Sequence, residues 1–316
     1  MASLMDVYAA RRVIQRFLAP PPLLRSMILS ERYGCDLWIK YEDSSPIRSF
    51  KARGGLYRGS TLPAEYAGVV TASTGNHGQG IALGAAAFGR KAVVYVPEGG
   101  NPTKVAAIRA LGAELRVAGN SILEANGVAR RASVEENLLY VEDGDDPDVM
   151  IGCATIALEI VEALPRFDDL IVPAGGGNLL GACGLVLSAV APEVRVTGVQ
   201  SSAAPSVYES FREGAARLHP LCATFAGGLA TNYPGAYTFT YIQAGVHDMT
   251  LVDDDDLIDA AIELAKATSH VPEGAGAAAF AALRSDPARY AGRTVVLILS
   301  GANAEPVIWE RLTGGA

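Results

Sequence analysis

Short runs of β-branched and aliphatic residues alternate with alanine-rich segments along the whole chain, and this alternation constrains the fold more than any other feature. Leu37–Tyr41, Gly68–Ala72, Ala92–Val96, Glu114–Val117, Leu170–Val172, Val194–Val199 and Thr294–Leu299 read as strands. Their apolar runs are nearly continuous, which suits strands buried on both faces of a parallel sheet. Gly78–Phe88, Thr103–Leu111, Ile151–Ala163 and Leu179–Ala191 read as the helices between them. The expectation is an α/β fold with open, mostly parallel sheets flanked by helices. The polar stretch Val141–Pro147 reads as a boundary. The acidic run Asp253–Asp256 reads as the start of the helix Leu257–Thr268, where acids suit the helix dipole, and not as a metal site.

A chain of 316 residues has room for about two domains. Half of it is hydrophobic and 19% is charged, so a large core is expected and disorder is not. Acids outnumber bases by 34 to 26, without basic clusters, which argues against nucleic acid or an anionic membrane as partner. Met1–Arg12 has no apolar run of the signal-peptide kind, and no stretch of about 18 unbroken apolar residues follows. A cytoplasmic protein without a membrane span is expected. Cys35, Cys153, Cys183 and Cys222 are scattered with no CxxC spacing, so they read as free thiols in a reducing compartment, not as a disulfide or zinc set.

Four loops at strand–helix junctions carry the chemistry, at the strand ends where ligands of open α/β sheets collect. In Ser49-Phe50-Lys51-Ala52-Arg53-Gly54 a lysine follows an aromatic residue and opens a helix. By itself it also fits a solvated surface lysine. Ser73-Thr74-Gly75-Asn76-His77-Gly78-Gln79 presents hydroxyls and amides at a helix start, a place for a carboxylate or a plain capped turn. Pro173-Ala174-Gly175-Gly176-Gly177-Asn178 opens backbone N–H groups into a nest suited to phosphate. It is not a dinucleotide fingerprint, because Leu180 stands where the last glycine would be needed. Leu299-Ser300-Gly301-Ala302-Asn303 follows the last strong strand. Together the loops call for a ligand with a phosphate, an aldehyde for the lysine and a carboxylate-bearing partner. Pyridoxal 5′-phosphate with an amino-acid substrate meets all three.

In these motifs, their order and their spacing, the chain resembles the fold-type II pyridoxal-phosphate enzymes, in the threonine/serine dehydratase and serine racemase group. The resemblance runs from Pro22-Leu23-Leu24 to Asn303. It implies the tryptophan synthase β-like fold, with a large cofactor domain formed by 1–67 and 147–316 and a small substrate-carboxylate domain formed by 68–146. It implies that Lys51 holds the cofactor as a Schiff base and acts as base at the substrate Cα, with Phe50 beside the ring. Ser73, Thr74, Gly75, Asn76 and His77 would bind the substrate carboxylate, with Asn76 also reaching the cofactor. Gly175, Gly176, Gly177 and Asn178 would cradle the phosphate, Ser300 would meet the pyridine nitrogen, and Glu273 would stand near cofactor or substrate. The implied reaction is β-elimination from a 3-hydroxy amino acid (threonine, serine, hydroxyaspartate or phenylserine type) to a 2-oxo acid and ammonia, in a homodimer.

The chain also departs from that pattern. Asn178 replaces a fourth glycine. Thr74 stands where serine racemases carry the serine that works on the second face, so racemisation stays as an alternative, beside β- or γ-replacement with a second substrate. Gly227 and Ala223 replace the acids of the family's divalent-cation site, so no metal is expected there. Arg48 fits either a structural role or a contact to a substrate β-carboxylate. Tyr233, Tyr237, Phe239 and Tyr241 fit either packing or an aromatic-lined substrate pocket. The chain ends soon after Asn303, so the regulatory domain of biosynthetic threonine dehydratases is not expected.

Overall fold

The structure, a computed structural model, describes residues 1–99 and 102–314. Its strands are β1 (Leu23–Arg25), β2 (Asp36–Tyr41), β3 (Gly68–Ala72), β4 (Lys91–Val96), β5 (Glu114–Val117), β6 (Leu138–Tyr140), β7 (Asp169–Pro173), β8 (Arg195–Ser201), β9 (Asp248–Val252) and β10 (Thr294–Leu299). They form a six-stranded sheet in the order β1-β2-β10-β7-β8-β9 and a four-stranded sheet in the order β5-β4-β3-β6. Only β1 runs antiparallel to its neighbour; β10 pairs in parallel with both β2 and β7. The four-stranded sheet takes its strands from one continuous stretch between β2 and β7. Helices join the parallel strands, so the C-terminal strand ends that carry the four loops gather along one edge of each sheet.

The seven expected strands are all present, with ends shifted by up to two residues. β1, β6 and β9 are additions. The first two have three residues each, too few for a period to register. β9 is only partly buried and lies on the sheet edge against β8. The Val141–Pro147 stretch, expected as a boundary, ends in a helix cap: Asp146 accepts from the Val149 N–H, and Pro147 opens the helix Pro147–Ala163. Of the acids of 253–256, Asp253 is the N-cap and the other three lie in the first turn of a helix, Asp254–Thr268. Asp254, however, accepts from Ser201 Oγ, Thr224 Oγ1 and the Phe225 N–H, and so ties down the Thr224–Gly228 segment.

The helix Lys51–Ser60 crosses the helix Asn76–Ala87 backbone to backbone. A Cβ on Gly55 would lie 1.8 Å from the Gly80 carbonyl oxygen, and one on Gly84 would lie 1.8 Å from that of Gly55. The lysine loop and the Ser73–His77 loop are thus held in register by side chains that are absent. The larger core packs Val94, Ile108, Met150, Leu170, Leu180 and Ile242, all buried. Phe239 and Tyr241 lie in that core, the Tyr237 and Tyr241 hydroxyls accept from the Ala2 N–H and so hold the N-terminal segment, and Tyr233 is exposed. No helix of the described residues is long and apolar enough to cross a membrane.

Candidate active site

The loop after β7 is shaped for an anion. Gly177 has φ +114°, a conformation that a side chain would strain. A Cβ on Gly175 would come within 2.3 Å of the Gly228 carbonyl, and one on Gly176 within 2.8 Å of Gly144 Cα. Asn178 opens the following helix and is 3% exposed, yet neither polar atom of its amide has a partner among the described residues. A buried amide of this kind ordinarily finds a hydrogen bond. A glycine nest, a helix N-terminus and an orphaned amide together fit a bound phosphate.

Lys51 is the first residue of its helix, and Phe50 is the cap. The Phe50 N–H donates to the Ser300 carbonyl at 2.9 Å, and Ser49 bridges Gly301 across the same gap. The loop after β2 is thereby fastened to the loop after β10, whose neighbour strand β7 carries the glycine nest. Lys51 Nζ lies 5.4 Å from the centre of the Phe50 ring and donates to Asp143 Oδ1. Ser300 is buried, and its hydroxyl donates to the Ala275 carbonyl at 3.4 Å.

The loop after β3 faces this assembly. The Gly75 N–H donates to Ser73 Oγ, Thr74 is half-buried, and Asn76 begins the helix. The Asn76 amide is held from both ends: its Nδ2 donates to Glu273 Oε1 at 2.7 Å, and its Oδ1 accepts from Asn303 Nδ2 at 2.7 Å. His77 is buried. Its Nε2 lies 3.1 Å from Thr71 Oγ1, and its Nδ1 lies 3.6 Å from Asp143 Oδ1. The ring is therefore occupied inside the sheet edge, and only the start of the backbone turn is left to meet a carboxylate. Burial lowers the proton affinity of His77, against the pull of Asp143, and keeps the ring neutral.

Glu273 caps the helix Gly274–Ser285 and is 4% exposed. Burial first, and the nearby Glu305 second, push its carboxyl up to about 7, against the opposing effects of Lys104 and Asn76. A carboxyl raised in the folded state favours folding below its ordinary range, and that contribution is lost as pH rises through the raised value. Folded stability attributable to Glu273 should therefore decline between about pH 4.5 and pH 7. Glu273→Gln should remove most of that decline, on the order of 3 kcal/mol. Thermal unfolding of both proteins across this window checks it; parallel curves would refute the assignment.

Behind Lys51 lies a closed charge cluster. Arg53 donates to both carboxylate oxygens of Glu42 and of Glu159, and to Thr155 Oγ1. Lys40 donates to Glu159 at 2.6 Å. Arg53, Glu42 and Lys40 are all at most 2% exposed.

The structure thus brings Phe50, Lys51, Ser300, Asn76 and Glu273 into one cleft lined by the loops after β2, β3 and β10, beside the Gly175–Asn178 nest, while the His77 ring stays buried behind it. Sequence reading missed Asp143 and the second clamp on Asn76 from Asn303. Asp143 lies in a polar turn that looks like a solvated boundary, and no local pattern marks it.

A model of the pyridoxal-phosphate dependent enzyme family matches residues 14–301. The L-threonine ammonia-lyase of Thermotoga maritima is 34% identical over 314 residues, 99% of this chain and 78% of the relative. The L-threo-3-hydroxyaspartate ammonia-lyase of Saccharomyces cerevisiae is 31% identical over 312 residues, 98% of this chain and 96% of the relative. Among solved structures, the processed form of threonine deaminase isoform 2 from Solanum lycopersicum matches with a TM-score of 0.93 at 31% identity, covering 98% of this chain and 91% of that one.

Proposed function

Because the chain belongs to the pyridoxal-phosphate dependent enzyme family, we propose that it is an ammonia-lyase that converts a 3-hydroxy amino acid to a 2-oxo acid and ammonia by β-elimination. The observation that carries this reading is the place of Lys51, in a cleft shared with the glycine nest, the buried Ser300 hydroxyl and the clamped Asn76. Bound pyridoxal phosphate supplies the electron sink that makes the substrate Cα–H acidic. Gly175, Gly176, Gly177 and Asn178 would hold its phosphate, and Phe50, Lys51, Asn76 and Ser300 the rest of it.

The residues of the chain do the remainder. Ser73, Thr74, Gly75 and Asn76, with the backbone of His77, bind and orient the substrate carboxylate at a helix N-terminus. Glu273 and Asn303 fix the Asn76 amide so that it does not turn. Lys51 Nζ takes the Cα proton. Ser300 would offer a hydroxyl and not a carboxylate to the ring nitrogen, so it would not force a proton there and would favour prompt loss of the β-substituent. The Cα–H and Cβ–O bonds break and water departs. The released enamine takes up water and yields the 2-oxo acid and ammonia.

The stretch 68–146, which supplies every strand of the four-stranded sheet, would act as the small domain closing over the substrate against 1–67 and 147–316. The four cysteines are unpaired thiols, three of them buried, which supports a reducing, cytoplasmic location. The family resemblance supports a homodimer, which sedimentation at micromolar concentration would test.

The test of the function is a turnover panel on purified protein: L- and D-serine, L-threonine, both 3-hydroxyaspartate diastereomers and phenylserine. 2-Oxo acid, ammonia and the opposite enantiomer are measured for each. Matching amounts of 2-oxo acid and ammonia from one substrate are expected. Enantiomer without ammonia would instead make Thr74 a working acid or base on the second face and the protein a racemase.

A further inference from the structure

We infer that Asp143 sets the substrate class: it admits 3-hydroxy amino acids with an uncharged side chain and rejects those that carry a second carboxylate. This rests on the lyase reading above and narrows it, since relatives named for threonine and for hydroxyaspartate, 34% and 31% identical, both match nearly the whole chain.

The turn 142–146 holds four acids, and three are occupied elsewhere. Glu142 pairs with Arg130. Asp145 Oδ1 accepts from the Tyr237 N–H at 2.7 Å. Asp146 Oδ1 accepts from the Val149 N–H, and its Oδ2 lies 3.6 Å from Arg58. Asp143 alone turns into the cleft, where its carboxylate meets Lys51 Nζ and lies 3.6 Å from His77 Nδ1.

Its backbone is fixed there. Gly144 packs on Gly176 of the glycine nest so closely that a Cβ on either would lie within 2.9 Å of the other's Cα, and the Gly144 carbonyl accepts from Thr238 Oγ1. The side chain is 48% exposed, open to whatever fills the cleft.

A carboxylate within hydrogen-bond reach of Lys51 Nζ stands within a few ångströms of the Cα that Lys51 must reach. When Lys51 acts as base it is uncharged, and His77 is neutral through burial, so neither cancels the negative charge. A substrate β-carboxylate would face that charge at close range, where like charges repel strongly in a partly desolvated cleft. A hydroxyl or amide at the same place can instead donate a hydrogen bond to it. The same charge steadies the Lys51 ammonium once the proton has moved.

The test uses L-asparagine and L-aspartate, which match in shape, differ in charge and lack a β-hydroxyl. Their binding to the cofactor-loaded protein is read by absorbance titration without turnover. Wild type should bind asparagine at least about tenfold more tightly than aspartate. Asp143→Asn should bring the ratio near one, and Asp143→Glu should keep most of it. In parallel, Asp143→Asn should raise kcat/KM for 3-hydroxyaspartate relative to threonine. A wild-type ratio near one, or a ratio that Asp143→Asn leaves unmoved while the variant still binds cofactor and asparagine, overturns the inference. Absence of 2-oxo acid from every substrate with the binding ratio intact would remove the lyase reading and leave the charge selection standing.

Discussion

Lys51→Ala is expected to lower production of 2-oxo acid at least about a thousandfold, the scale for removing a positioned base that is also a covalent anchor. It should also remove the visible absorbance of a lysine-bound cofactor. The fold should survive. Lys51 is the first helical residue, its side chain is partly open to the cleft, and its helix is held by the Gly55–Gly80–Gly84 crossing and by Arg53. Far-ultraviolet circular dichroism and thermal unfolding separate the two effects. A variant that stays folded and keeps a tenth of wild-type turnover would show that another group takes the Cα proton, and the proposed reaction would have to be withdrawn. Lys51→Arg should not rescue activity, because a guanidinium neither condenses with an aldehyde nor gives up its proton near neutral pH.

Arg53→Met should be the largest single loss of stability away from the cleft, about 3–5 kcal/mol. Without the guanidinium, Glu42 and Glu159 remain buried beside each other with Lys40 as their only cation in the cluster, and the bond to Thr155 Oγ1 is gone. Arg53→Lys should recover little, since one ammonium cannot replace a fork that serves both carboxylates. Replacing Lys40, Glu42, Arg53 and Glu159 together with apolar residues should recover most of the loss, because the penalty comes from unpaired charge and not from missing volume. Urea unfolding of the cofactor-loaded proteins measures all three. A loss below about 1 kcal/mol for Arg53→Met would mean that water reaches the cluster and that it is not the closed network described.

The elements that were legible are those whose own residues encode them. β3 and β10 have the expected ends, because continuous, mostly apolar runs rich in β-branched residues fix both state and limits, and β5 has them too, with charged and apolar residues alternating along it. β1 and β6 carry no such signal; three residues become a strand only when a neighbour offers its hydrogen bonds. The helix expected to begin at Ile151 begins at Pro147, where the polar Asp146 that looked like part of a boundary is the cap itself.

The site divides in the same way. Lys51, Asn76, the three glycines and Ser300 stood out because backbone freedom, a helix start or a strand end marks them locally, and together those marks are specific enough to name a family and a cofactor. Asp143 and the Arg53 cluster were not legible. A lone acid in a polar turn and a charged residue on a helix both look solvated, and solvation is the cheapest state for a charge. Asp143 lies 92 residues from Lys51 in the chain, and Arg53 lies 106 from Glu159. The sequence by itself determined the layered α/β class, the lysine motif and the glycine nest, since short-range sterics and burial patterns select them. Only the tertiary structure decided which charges face one another, because the packing of distant helices and strand ends, and no local preference, sets those distances.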